Sequence, residues 1–168
     1  WQFWVPVGVA LANYFTYEDD SIVEYHLSRG LTEDQMRRES FPQYYFVGVG
    51  EEMFFRGVVQ HYFFESFRDY WNFSPGASRH FSILGASAVF ALAHTGAGFT
   101  ASPATAFLFG IYEGYTYHPS IEEFDLITAI AVHSWWDLIV SYTILNHASF
   151  KEYQSDLEFP VFQVGFRF

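Results

Sequence analysis

The chain has 168 residues, room for one compact unit, with 51% hydrophobic and 23% aromatic residues and only 16% charged, against about 25% charged in an ordinary soluble domain. A formal charge of −11 excludes nucleic acid as a partner, because too few cations are available to neutralise a phosphate backbone. The absence of cysteine excludes a disulfide framework, a thiolate nucleophile and a Cys zinc site.

The sequence starts at Trp1 rather than methionine, which points to a trimmed or partial chain, and no basic-headed signal peptide is visible. Trp1 to about Phe15 is the first of five apolar segments, shorter than the ~20 residues a membrane span needs. A polar stretch follows from Tyr17 to Ser40; LTEDQMRRES within it predicts a capped helix lying on a membrane surface. The second segment, about Gln43 to Phe64, contains GEEMFFRG. Pro75-Gly76 marks a turn in the loop from Glu65 to Arg79. The third segment, about His80 to Gly98, is rich in small residues that let helices approach closely. Ser-Pro opens the fourth, about Pro103 to Tyr117, and the fifth runs from about Phe124 to Leu145.

This pattern predicts an all-α, polytopic transmembrane helical bundle of about five apolar helices, with membrane lipid as surroundings. Residues 1–40 form a partial first membrane helix and a polar interfacial segment, 41–146 the core, and 147–168 a tail of unassigned structure. A mean hydropathy of only +0.06 keeps a soluble, aromatic-rich helical bundle open as the competing reading. The mean is depressed, however, by Tyr, Trp and His, which favour membrane interfaces.

Ionisable residues lie well inside three of the apolar segments. In the second, Glu52 and Arg56 are four apart on one helix face and suit a charge-assisted pair, while Glu51 points about 100° away. The third carries His94, four after Phe90; the fifth carries His133 and Asp137, again four apart. Each of these groups is costly to leave unpaired in lipid, and convergence on one cavity between the three helices removes that cost. Convergence also assembles a carboxylate, two imidazoles and a second acid, the parts needed to activate water and stabilise an oxyanion. Ser87, Ser134 and Ser141 sit in no nucleophile-elbow or Ser-Lys pattern.

EExxxR, FxxxH and HxxxD, in that order and on separate apolar segments, resemble the CPBP (CAAX prenyl protease and bacteriocin-processing, or ABI) intramembrane proteases. The resemblance covers about Tyr44 to Ser141, including AFLFGIYEGYTY between the second and third motifs. It implies an endopeptidase in which Glu51 and His94 deprotonate the attacking water, and Glu52 and Arg56 hold the site, a share of the base role for Glu52 being the alternative. His133 and Asp137 then stand where the tetrahedral intermediate is stabilised. The eukaryotic prenyl proteases carry asparagine at the last position; an ionised Asp137 only accepts hydrogen bonds, so it would instead orient His133 or ligate a metal. Zinc bound by Glu51, His94, His133 and Asp137 is chemically open, and so is a metal-free route. The expected partner is a peptide or protein substrate, and the expected location is a bacterial inner membrane. An inactive immunity or scaffold protein and a proton-relay transporter are the alternatives.

Overall fold

The computed structural model describes residues 2–5, 7–9, 30, 33–94 and 103–147, and these are overwhelmingly helical. Most of the first apolar segment, most of the polar stretch before Ser40, the predicted end of the third segment at Gly98 and the tail from 148 onward lie outside the described residues.

Helix α1, Glu33–Glu52, opens on acidic residues that suit the positive end of a helix, and it absorbs Pro42 without breaking. It passes directly into a π-helical stretch, Met53–Gln60, then α2, His61–Glu65, then a second π-helical stretch, Ser66–Tyr70. Glu33 to Ser40 are therefore the first turns of the motif helix, not a separate surface helix. No residue between Ser40 and Gln43 stops a helix, and Pro42 alone proves insufficient. π-Helical turns carry one extra residue per hydrogen-bonded ring and gather at functional sites. Here the widening starts at the residue after Glu52.

Asn72, at φ 55°, turns the chain. Ser74 then caps α3, Pro75–Ala93, its hydroxyl accepting from the Ala77 N–H at 3.3 Å. The Pro-Gly pair read as a loop turn is thus the first turn of a helix, because proline's missing N–H is harmless at that position. Helix α4, Pro103–Tyr117, begins where Ser-Pro predicted. Helix α5, Leu126–His147, starts after Asp125, whose carboxylate accepts from the Thr128 N–H at 2.9 Å and hydroxyl at 2.6 Å.

The helices meet where side chains are small. A Cβ on Gly48 would lie 2.9 Å from the Ser134 backbone nitrogen, so α1 and α5 touch there. One on Gly110 would lie 3.0 Å from Ser87 Cα, and one on Gly114 2.8 Å from Ile83 Cγ2, which fixes α4 against α3. The interior is unusually polar: Glu52, Arg56, Gln60, Glu113, His118, His133 and several serines are buried. The exterior carries Phe46, Phe54, Val58, Leu92, Leu108 and Ile127. Among the described residues no helix is long and apolar enough to cross a membrane. The all-helical expectation holds.

Candidate active site

Glu52, Arg56 and Gln60 follow one another at four-residue spacing and are completely buried. Glu52 uses both carboxylate oxygens: Oε2 lies 3.1 Å from Arg56 Nε, an ion pair too bent to be a hydrogen bond, and Oε1 lies 2.7 Å from His133 Nδ1. Arg56 also lies over the Phe90 ring, 5.2 Å from its centroid, and Phe90 packs edge-on against Phe55. The expected Glu52–Arg56 brace is present. Its reach across to His133, 81 residues away in sequence, was not legible from helix periodicity.

Two hydrogen bonds fix the imidazoles in the same tautomer. His94 ends α3, with Nδ1 2.7 Å from the Phe90 carbonyl. That oxygen can only accept, so Nδ1 carries the hydrogen and Nε2 is the basic nitrogen. His133 Nδ1 likewise donates to the Glu52 carboxylate. Ring contacts support both orientations: Phe90 lies against His94 at 4.1 Å, and Phe109 meets His133 edge-on at 4.9 Å.

Both Nε2 atoms turn toward Glu51, whose Oε2 lies 3.5 Å from His94 and 3.6 Å from His133. Glu51 is 26% exposed, whereas Glu52 is fully enclosed. Adjacent carboxylates therefore have different environments, one open to a reactant and one locked to a cation. Asp137 Oδ2 lies 3.6 Å from His133 Nε2, so the shorter hold on that ring belongs to Glu52. All six sequence-predicted residues come together.

Gln60 and Glu113 are among the buried polar residues that escaped the sequence reading. Gln60 donates from Nε2 to the Gly114 carbonyl at 3.0 Å. Glu113 is fully buried on α4, close enough to Glu52, His133, Arg56 and Asp137 to feel their charges. A lone acid inside AFLFGIYEGYTY was a signal of the same kind as Glu52 inside its own apolar run. As for zinc, the 3.5–3.6 Å separations are those of paired ions. No three of the described His, Asp and Glu side chains are arranged to hold a metal ion.

No curated protein and no solved structure matches the chain. The model of one family, described as Rce1-like, type II CAAX prenyl endopeptidase, matches residues 40–139. That span contains all six residues of the cluster and well over half of the chain. The chain therefore belongs to the Rce1-like family of type II CAAX prenyl endopeptidases.

Proposed function

We propose that the chain is an intramembrane endopeptidase in which Glu51 and His94 activate water for attack on a peptide bond. The observation that carries this reading is the position of Glu51 Oε2 between two imidazole Nε2 atoms, each held in one tautomer from behind. Membership of a CAAX endopeptidase family supports the reaction class. The polar interior and apolar exterior support a lipid setting, since a water-soluble fold distributes these residues the other way.

Water at Glu51 gives a proton to Oε2 while its oxygen bonds to the scissile carbonyl carbon, and the carbonyl π pair moves onto oxygen. His133 enters the reaction as the imidazolium, its Nδ1–H on Glu52 and a second proton on Nε2, and donates from Nε2 to that oxyanion. His94 Nε2, 3.5 Å from Glu51 Oε2, accepts the proton and delivers it to the leaving nitrogen as the C–N bond breaks. Asp137 acts on His133 rather than on the oxyanion, because a carboxylate would repel it.

The test uses the full chain in detergent with a fluorogenic prenylated CAAX peptide and a membrane-peptide library. Glu51→Gln and His94→Ala should each abolish turnover; cleavage surviving both substitutions overturns the mechanism. A folded wild type that cleaves nothing but moves protons across liposomes would identify a relay protein instead.

A further inference from the structure

A hydrolase surrounded by apolar surface must obtain water from somewhere, and the interior beyond Glu52 contains further buried polar atoms on neighbouring elements. Arg56 Nη1 and Nη2, Gln60 Oε1, both Glu113 carboxylate oxygens and His118 Nδ1 are buried without a hydrogen-bond partner. Arg56 is linked to the site through Glu52 at 3.1 Å. Gln60 lies one turn further along and bonds the Gly114 carbonyl at 3.0 Å; the His118 backbone N–H bonds the same carbonyl at 3.1 Å. His118 Nε2 faces the Ile121 carbonyl at 3.3 Å, so Nε2 carries the hydrogen and Nδ1 is left as an acceptor. Beyond it the loop exposes Ser120, Glu122 and Glu123.

The open atoms mix donors, the two Arg56 nitrogens, with acceptors, Gln60 Oε1 and His118 Nδ1, and a carboxyl group at Glu113. A cation would leave the Arg56 nitrogens unmet, and an anion would face Glu113, Gln60 Oε1 and His118 Nδ1. Water both donates and accepts, and buried water typically makes two to four such bonds. Gly114 lets Gln60 lie close against the α4 backbone, since a Cβ there would come within 3.1 Å of Gln60 Oε1.

We propose that Arg56, Gln60, Glu113 and His118 line an internal hydration site that supplies water from the 118–125 loop to the Glu51 centre. The supply role rests on the peptidase reading; the hydration site does not. The full chain in lipid nanodiscs is therefore measured in two ways. Water cross-relaxation should appear by NMR at the Gln60 side-chain amide protons in the wild type, vanish in Glu113→Leu and return in Glu113→Gln. With the prenylated CAAX peptide, Glu113→Leu should lower kcat about tenfold with KM within about twofold, and Glu113→Gln should recover most of that loss. A dry Gln60 amide in the wild type overturns the site, and it decides the matter alone if Glu113→Leu does not fold. A wet Gln60 with unchanged kcat in Glu113→Leu overturns the supply role. Wild type that binds this water but cleaves nothing refutes the peptidase reading and leaves the hydration site standing.

Discussion

Glu51 and Glu52 are neighbours in the chain, yet they should fail in different ways. Removing Glu52 leaves Arg56 buried without its anion and frees His133 Nδ1. Glu52→Ala should cost about 3–5 kcal/mol, measured by denaturant unfolding in detergent. Glu51→Gln should shift unfolding by no more than about 0.5 kcal/mol, because that side chain is partly exposed. It should nevertheless slow turnover by at least about a hundredfold. At this scale the sequence showed which residues are expensive to bury, but not which partner each would take. The i, i+4 spacing gave Glu52–Arg56; Glu52–His133 depends on how α5 packs on α1. His118 offers a pH test outside the helices. Burial holds its imidazole below the ordinary value of 6.5. As pH falls through that value the unfolded chain takes up a proton that the folded chain refuses, so stability declines toward acid. His118→Phe should reduce the loss of Tm between about pH 7.5 and pH 5.5, read by thermal unfolding.

Among the elements, close approach matters more than apolar area. Gly110→Val would force side-chain carbon into the Ser87 backbone, and should cost about 1–3 kcal/mol in unfolding experiments. Gly57→Ala should be tolerated, since its Cβ would meet the Leu126 side chain at 3.5 Å and the Glu52 carbonyl at 4.0 Å, both ordinary contacts. The start of α4 was legible because Ser102-Pro103 directly precedes an apolar run. The continuity from Glu33 to Tyr70 was not, because Pro42 suggests a break and π-helical widening has no period that a 3.6-residue template detects. Pro75-Gly76 misled for a related reason: the same dipeptide suits a turn or the first helical turn, and Ser74 decides between them.

Among the described residues of the molecule, buried charged and polar side chains share the interior with an apolar core, and many large apolar side chains are exposed. Leu108, halfway along α4, is 65% exposed. On a wetted surface Leu108→Asp would change stability by less than about 0.5 kcal/mol. Facing lipid it should cost about 2.5–3.5 kcal/mol and reduce the fraction recovered folded in the membrane. An unaffected yield in membrane fractions would count against the lipid setting. The composition anticipated charges in the interior, because so few charges in so apolar a chain had to serve a purpose inside. It could not say where the helices end.

The exposed turn at Trp71 to Ser74 divides the centre into two inheritable parts. Everything before it supplies Glu51, Glu52 and Arg56; everything after it supplies His94, His133 and Asp137. Neither part holds both a carboxylate at the Glu51 position and an imidazole to take its proton. Cut between Trp71 and Phe73, the gene becomes a two-component switch. Each fragment alone should be silent, and their co-expression should report, through restored cleavage, that the two pieces have met in the same bilayer.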